Sequence, residues 1–297
     1  MNSISKTTTT MKTTTTTTTR PTNNAYRSRF NLTHHPLPRN ASGKSFFDQT
    51  REYIQLENYF QDLIDEPGLG ILTAAAGVGK TAAIRNLCAR LPEPDFKVLY
   101  ICDTSVSAFD LYRILALELG LSPSHRRAQL LLDLKRTITH WVEQLHCLPI
   151  LVLDEAQLLS DAFLTELSGF LNFAFDRKTL LTVWLVGLPS LNSRLRMQHH
   201  APLDSRVSAR IHLEPLTRDD FAAFTDHALK AAGAREKILT DSAFELFWRS
   251  TRGVPRAASK LLRAALRLAH RNNQNLVDDR VISEAIDELV PYQEKKT

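Results

Sequence analysis

The chain has 297 residues, of which 43% are hydrophobic, and carries a formal net charge of +5 at pH 7. A chain of this length and apolar content can build one large or two small globular domains. The moderately basic balance permits an anionic partner but does not require one. No apolar run reaches the ~20 residues that a membrane span needs, and no secretory signal pattern is present. We therefore expect a cytoplasmic protein with no membrane partner.

The cysteines and histidines predict neither disulfides nor a structural metal. Cys88, Cys102 and Cys147 are far apart and form no CxxC pair. They predict small buried side chains in a reducing compartment. The histidine pairs at 34–35 and 199–200 lack the spacing of metal ligands.

Threonine dominates the start of the chain, where Thr7–Thr10 and Thr13–Thr19 are uninterrupted runs. Such a polar tract cannot bury enough apolar surface to fold alone, so we predict a disordered tail over residues 1–25. The next segment, Tyr26–Leu37, is expected to be extended because Pro36 and Pro38 disfavour helix.

Helical patterns and continuous apolar runs then alternate along residues 26–216. This alternation is typical of a parallel sheet covered by helices on both faces, so we predict an α/β domain. The predicted helices are Gln49–Asp65, Thr81–Leu91, Ser107–Leu119, Arg126–Leu145 and Asp161–Phe173. The predicted strands are Gly70–Thr73, Lys97–Cys102, Pro149–Leu153 and Leu180–Val186.

Only helical patterns remain from Thr217 onward, so we predict that residues 217–297 form a second, helical domain. Thr217, with Asp219 and Asp220 in the following turn, is a helix-capping signature. No further domain is expected after these helices, and sequence-specific DNA recognition is therefore not expected. The predicted helices are Thr217–Ala231, Asp241–Arg249, Pro255–Arg271 and Asp278–Val290.

A phosphate-binding loop follows the first predicted strand. Residues 74–81 read Ala-Ala-Ala-Gly-Val-Gly-Lys-Thr, close to the Walker A pattern GxxxxGK[ST]. Small residues let backbone N–H groups surround phosphates, while Lys80 adds charge and Thr81 offers a hydroxyl to Mg²⁺. Ala74 replaces the first glycine of the pattern and would be strained by ~1 kcal/mol if its φ were positive. The predicted nucleotide-binding residues are Ala74, Ala75, Ala76, Gly77, Val78, Gly79, Lys80, Thr81 and Ala82.

An acidic pair, Asp154 and Glu155, ends the predicted strand Pro149–Leu153 and has the form of a Walker B motif. We expect Asp154 to hold Mg²⁺ through a water molecule and Glu155 to polarise the attacking water. The alternative is that the pair caps the helix that begins at Asp161. Together with the phosphate-binding loop, the pair predicts ATP binding with Mg²⁺ and ATP hydrolysis.

Two further motifs join these: Val186-Gly187 after a strand, and Gly253-Val254-Pro255-Arg256. With them the chain, from about Phe30 to Val290, resembles one branch of the AAA+ ATPases. This is the ExeA-like branch, related to the origin-recognition ATPases, which includes transposition proteins of the TniB and TnsC type. The resemblance implies a three-layer αβα sandwich, a five-stranded parallel sheet of order 5-1-4-3-2 and a C-terminal helical lid.

The resemblance also implies two arginine roles. Arg206 matches the arginine finger, which reaches the γ-phosphate held by a neighbouring subunit, with Arg210 as the runner-up. Arg256 matches the sensor-2 arginine, which contacts the γ-phosphate of its own subunit. The alternatives are a surface ion pair for Arg206 and a solvated helix start for Arg256. Leu188 stands where the family carries a polar sensor-1 residue, which predicts slow hydrolysis unless another polar group, such as Ser190, replaces it.

DNA contact is expected, if at all, through the backbone and without sequence preference. One candidate surface is the basic face of the helix Pro255–Arg271, for which a merely solvated face is the favoured alternative, and the other is His125-Arg126-Arg127. The basic face consists of Arg256, Lys260, Arg263, Arg267 and Arg271, opposite the apolar stripe of Ala258, Leu261, Leu262, Ala265 and Ala269.

The resemblance implies an ATP-dependent switch that assembles into a ring or filament on double-stranded DNA and recruits a DDE-type transposase. An ExeA-like secretion ATPase is a second hypothesis. A third is a weakly hydrolysing, nucleotide-dependent interaction scaffold, which Leu188 and Ala74 motivate. A metabolic kinase is not expected, because an Asp-Glu pair favours activation of water.

Overall fold

Five parallel strands form one sheet in the part of the chain that the computed structural model describes, residues 25–38, 41–173 and 179–289. Their order is β2-β3-β4-β1-β5, which is the order 5-1-4-3-2 that the resemblance implies. The prediction of an α/β P-loop sheet is therefore confirmed. Of the predicted tail, residues 1–24 lie outside the described residues. The strands are β1 Leu69–Ala74, β2 Phe96–Ile101, β3 Leu148–Leu153, β4 Thr182–Gly187 and β5 Val207–Leu213.

Helices cover both faces of the sheet, as the three-layer prediction requires. The α-helices of the described residues, including those away from the sheet, are α1 Tyr26–Arg29, α2 Arg51–Asp65, α3 Lys80–Cys88, α4 Ala108–Glu118, α5 Arg127–Gln144, α6 Asp161–Phe170, α7 Ser190–Leu195, α8 Ala201–Asp204, α9 Arg218–Ala231, α10 Asp241–Thr251, α11 Pro255–Arg271 and α12 Asp279–Leu289. Side chains such as Leu99 and Leu185 pack against α4 to α7 on one face of the sheet. Side chains such as Leu72 and Trp184 pack against α2 and α3 on the other.

The strand β5 does not stand out in the sequence because it lies at an edge of the sheet. β1 and β4 are buried along their whole length, whereas β5 alternates between buried and exposed side chains. Ala209, Ile211 and Leu213 face the core, and the polar residues between them face outward. Such an alternation is a weaker signal than a continuous apolar run.

A second apolar core forms among α9, α10, α11 and α12. The side chains of Tyr26, Phe30, Leu32 and Leu37 lie in this core and not in the layers of the sheet. The expected extended conformation of this segment is wrong for α1, where Tyr26 anchors a short helix against α11. The division into residues 26–216 and 217–297 stays a prediction, but its first dozen residues pack with the C-terminal helices.

The cysteines are less buried than the sequence predicts. Cys88 and Cys147 are half-buried, and Cys102 is exposed just beyond the end of the edge strand β2. All three are free thiols. In the described parts of the chain, no helix is both long and apolar enough to cross a membrane.

Candidate nucleotide-binding site

The phosphate-binding loop connects β1 to α3 at the carboxyl edge of the sheet, where ligands of parallel α/β sheets bind. Gly77 has φ +87° and Gly79 has φ +121°, conformations that favour glycine. Ala74 has no positive φ: it is the buried last residue of β1 and pairs with Leu213 of β5. The strain considered for Ala74 therefore does not arise, because the left-handed positions of this loop are still glycines.

Lys80 and Thr81 begin α3 and point toward the strand ends. Lys80 is only 7% exposed, and its Nζ donates to the carbonyl of Ala74 at 3.3 Å. Thr81 Oγ1 donates to Asp154 Oδ2 at 2.7 Å. The two motifs that the sequence pairs at a distance are thus in direct contact.

Asp154 is a buried carboxylate with several donors around it. Besides Thr81, the hydroxyl of Tyr100 donates to Oδ2 at 2.9 Å, and the backbone N–H of Glu155 donates to Oδ1 at 2.9 Å. Burial and the hydrogen bond to Asp154 raise the pKa of Tyr100, so its hydroxyl remains a donor. Tyr100 is not predicted by the sequence, because its contact depends on the pairing of β2 with β3.

The alternative role of the acidic pair as a helix cap is wrong. The N-cap of α6 is Ser160, whose Oγ accepts from the N–H of Phe163 at 3.2 Å. The carboxylate of Asp154 and the hydroxyl of Thr81 are oxygen ligands of the kind that Mg²⁺ prefers. The residues present therefore fit a magnesium ion at this point.

Glu155 lies beside the loop, in a cleft that extends from the carboxyl ends of the strands to the C-terminal helices, and it has a strained backbone. Its φ of +51° is in the left-handed region, which is uncommon for a residue with a side chain and is often found at functional sites. Thr104 Oγ1 donates to its carbonyl at 3.0 Å, and Gln157 Nε2 donates to its Oε2 at 2.7 Å. The carboxylate is thus oriented by a neighbour two residues away.

Leu188 lines the same cleft with its apolar side chain, as its position after β4 predicts. Its backbone N–H donates to Gln157 Oε1 at 2.9 Å. Ser190, the suggested polar replacement, is exposed at the start of α7 and is not among the residues that line the cleft.

Arg256 meets the phosphate-binding loop from the other side. Its backbone N–H donates to the carbonyl of Gly77 at 3.2 Å, and its side chain lines the cleft with Lys80 and Glu155. A Cβ on Gly77 would lie 2.9 Å from the Cβ of Arg256, so this glycine is needed for space as well as for its φ. The structure thus places Arg256 at the phosphate end of the cleft.

Gly253 docks the start of α11 onto the connection between β5 and α9. Its φ is +70°, and a Cβ there would lie 2.0 Å from the carbonyl oxygen of Leu216. The N–H of Leu216 donates to the carbonyl of Gly253 at 3.0 Å. Thr217 then caps α9 by accepting from the N–H of Asp220, as predicted.

Arg206 lies at the amino ends of the strands, whereas the phosphate-binding loop lies at their carboxyl ends. It precedes Val207, which pairs with Leu69 at the amino end of β1, whereas the loop follows the carboxyl end. The strand between them is roughly 20 Å long, so Arg206 is remote from the loop of its own chain. Arg210 donates to Asp204 Oδ1 at 2.7 Å and to Asn192 Oδ1 at 2.8 Å, which accounts for it structurally.

A large cleft of about 1610 Å³ joins these residues to the C-terminal helices. The basic face of α11 lines this cleft, and Arg256, Lys260 and Arg271 in it are exposed. The opposite stripe of α11 is buried as predicted. Aromatic side chains line another part of the cleft, where Phe47 packs edge-on against Phe224 and His227 at 5.8 Å between ring centroids.

Ion pairs account for two clusters away from the cleft. Arg127 forms an ion pair with Glu166 of α6. One arginine of the second candidate DNA-binding surface, residues 125–127, thus already has a partner within the protein. Asp161 Oδ1 accepts from Arg194 and from His200 Nε2, the latter at 3.0 Å. The Asp161 carboxylate, next to the histidine pair 199–200, is thus already paired with the guanidinium group of Arg194.

One sequence family and one relative match the part of the chain that carries the site. Residues 63–195 match the family described as AAA domain. The chain is 30% identical over 276 residues to general secretion pathway protein A of Aeromonas hydrophila, a match that covers 92% of this chain and 50% of that protein. The chain thus spans half the length of that relative.

Solved structures share the fold at low sequence identity. Cdc6p from Pyrobaculum aerophilum has a TM-score of 0.66 at 18% identity, over 89% of this chain and 71% of that chain. A chain of Drosophila ORC bound to DNA has a TM-score of 0.65 at 16% identity, over 97% of this chain and 72% of that chain. The chain therefore has the α/β P-loop AAA+ fold, and its residues 63–195 are similar to the AAA domain family.

Proposed function

We propose that this protein binds ATP with Mg²⁺ in the cleft between the sheet and the C-terminal helices and hydrolyses it to ADP and phosphate. The observation that carries the proposal is the 2.7 Å hydrogen bond between Thr81 Oγ1 and Asp154 Oδ2. It joins the hydroxyl of the phosphate-binding loop to a buried carboxylate, and Lys80, the residue before Thr81, is buried as well. Transfer of a phosphoryl group to water needs this combination of groups.

Each residue has a separate role in this proposal. The backbone N–H groups of residues 75–81 surround the β- and γ-phosphates, and Lys80 neutralises part of their charge. Thr81 and Asp154 would hold Mg²⁺, which supplies positive charge for the phosphate oxygens. Glu155 orients and polarises the attacking water, and Arg256 stabilises charge on the γ-phosphate of its own subunit.

The remainder of the cleft suits the nucleoside. Phe46, Phe47, Phe224 and His227 line it and offer aromatic faces for a purine base. This aromatic surface combines side chains from before α2 with side chains from α9. A base bound there would contact both the sheet domain and the C-terminal helices, so nucleotide binding would fix their relative position.

We further propose that subunits assemble so that Arg206 of one reaches the nucleotide of the next. Support comes from its position at the amino edge of the sheet, remote from the loop of its own chain. An arginine supplied in trans would make hydrolysis depend on assembly, as in a switch. Assembly into a ring or a filament is what the family resemblance implies.

Two partner classes fit such a switch. The 30% identity to general secretion pathway protein A favours a secretion-associated role at least as well as recruitment of a DDE-type transposase. Contact with double-stranded DNA is supported only by likeness of fold to proteins such as ORC bound to DNA.

Analytical ultracentrifugation with ATP separates these two roles. Faster sedimentation that requires added duplex DNA supports the transposition role. Assembly that occurs equally with and without DNA supports the secretion role. A cytoplasmic location stays a prediction.

Titration calorimetry with ATP and Mg²⁺ tests nucleotide binding. Wild type and Glu155→Gln are expected to bind with similar affinity, because Glu155 acts on water and not on the bound phosphates. Lys80→Ala is expected to bind at least about tenfold more weakly, since it loses a charge-assisted contact to phosphate. Equal affinity for wild type and Lys80→Ala would contradict binding at this loop.

A further inference from the structure

Gln157 joins the two parts of the site on which hydrolysis depends. Its Nε2 donates to Glu155 Oε2 at 2.7 Å, and its Oε1 accepts from the backbone N–H of Leu188 at 2.9 Å. A carboxamide has both a donor and an acceptor, and here each is used by a different partner. One side chain therefore connects the acidic pair after β3 to the end of β4.

The surroundings of Gln157 hold it in this position. A Cβ on Gly187 would lie 2.7 Å from Gln157 Oε1, so glycine at the end of β4 makes room for the amide. Arg194 Nη1 donates to the carbonyl of Gln157 at 3.1 Å, and the same guanidinium binds Asp161. The backbone and the amide of Gln157 are thus fixed separately, from α7 and from β4.

We propose that Gln157 is a positioning residue that takes the place of the missing polar side chain at Leu188. This inference rests on the proposed ATP hydrolysis. In this chain the group after β4 that helps to orient Glu155 is the backbone N–H of Leu188. It acts through the Gln157 amide, which hydrogen-bonds both to this N–H and to the Glu155 carboxylate. Gln157 itself is not among the residues that line the cleft, so it acts through Glu155 and not on the nucleotide.

The chemistry requires an amide and not merely a side chain of that size. Leucine would leave the N–H of Leu188 without an acceptor and Glu155 free to rotate. Glutamate would still accept from Leu188, but it would place a second carboxylate beside Glu155. The two carboxylates would repel each other, so Glu155 would lose the orientation that the amide gives it.

The test measures phosphate release and ATP affinity for wild type, Gln157→Leu, Gln157→Glu and Ser190→Ala. Gln157→Leu is expected to lower kcat roughly 10- to 100-fold, the effect of a misplaced catalytic group, with ATP affinity within about twofold of wild type. Gln157→Glu keeps an acceptor for Leu188 but loses the donor to Glu155, so it is expected to lower kcat to a similar extent, with ATP affinity again within about twofold of wild type. Ser190→Ala, the matched control after β4, is expected to leave both quantities unchanged.

Several outcomes would overturn the inference. A Gln157→Leu rate above half that of wild type would do so, provided that Glu155→Gln is inactive in the same assay. A wild-type kcat in Gln157→Glu, a variant of the same shape, would show a role in packing only. Loss of activity in Ser190→Ala would assign the missing contact to Ser190. If wild type and Glu155→Gln release phosphate equally, the proposed function fails first and this inference fails with it.

Discussion

The backbone N–H of Arg256 donates to the carbonyl of Gly77 at 3.2 Å, so the C-terminal helices touch the phosphate-binding loop directly. Only a glycine fits on the loop side of this contact. A change in the position of α11 must therefore shift the phosphate-binding loop, and a nucleotide that moves the loop must shift α11. This contact gives the proposed switch a physical route between the nucleotide and the C-terminal helices.

Arg256→Gln is expected to lower the rate of ATP hydrolysis by roughly 10- to 1,000-fold, because a preorganised cation at the γ-phosphate is lost. The contact of its backbone with Gly77 does not depend on the side chain, so the fold is expected to persist. Phosphate release and circular dichroism measure the two effects. Arg280→Gln, an exposed arginine of α12 outside the cleft, is the matched control, and equal rates for both variants would contradict the role of Arg256.

Gly253→Ala is expected to destabilise the protein by more than about 3 kcal/mol, because backbone strain is added to a severe clash. The new Cβ would lie 2.0 Å from the carbonyl oxygen of Leu216. Gly120 has a similar φ of +77°, but a Cβ there would meet no atom within 4 Å. Gly120→Ala is therefore expected to cost only about 1 kcal/mol. Urea unfolding measures both variants, and equal losses would show that the contact with Leu216 is not close in solution.

The stability of the protein is expected to fall on mild acidification because of His35. Burial, followed by the nearby charge of Arg263, lowers the pKa of His35 from 6.5 to about 4. Below pH 6.5 the unfolded chain takes up a proton that the folded chain refuses. The contribution of the neutral His35 to the free energy of unfolding is therefore fully present above pH 6.5, and it is lost as the pH falls toward 4.

At pH 5 this loss amounts to about 2 kcal/mol of unfolding free energy relative to pH 7. Urea unfolding of wild type and His35→Gln at both pH values isolates the effect, because all other groups titrate in both proteins. Wild type is expected to lose about 2 kcal/mol more than the variant between the two pH values. An equal loss in the two proteins would show that His35 is not buried between α1 and α11.

Mixing two inactive variants tests the proposed role of Arg206 in trans. Glu155→Gln and Arg206→Ala are each expected to be inactive alone. In an equal mixture about a quarter of the interfaces combine an intact Glu155 with an intact Arg206 from the neighbour, so activity is expected to return to that level. An inactive mixture that still assembles would contradict the role in trans, and full activity of Arg206→Ala alone would exclude any role.

The candidate nucleotide site could be predicted from the sequence because its parts are local. The phosphate-binding loop needs glycines at left-handed positions and a lysine and a threonine at the start of a helix, and all of these are consecutive residues. Asp154 and Glu155 are recognisable because they end a continuous apolar strand. The order of the strands followed from the family resemblance and not from any spacing in the chain.

The remaining features depend on contacts between distant segments. The period of α11 divides it into a basic and an apolar face, but it does not reveal that the basic face lines the cleft. Tyr100 reaches Asp154 only through the register of β2 on β3, and Gln157 reaches Leu188 only because β3 and β4 are neighbours. The packing of Phe30 and Leu37 on the C-terminal helices has no local signal at all.

Release of phosphate from ATP in the presence of Mg²⁺, compared between wild type, Glu155→Gln and Glu118→Gln, tests the central claim most directly. Glu118 is an exposed carboxylate at the end of α4 and serves as the matched control. We expect wild type and Glu118→Gln to release phosphate at the same rate and Glu155→Gln to be at least about 100-fold slower, since it lacks the group that activates water. Equal rates in all three proteins would contradict hydrolysis at this site.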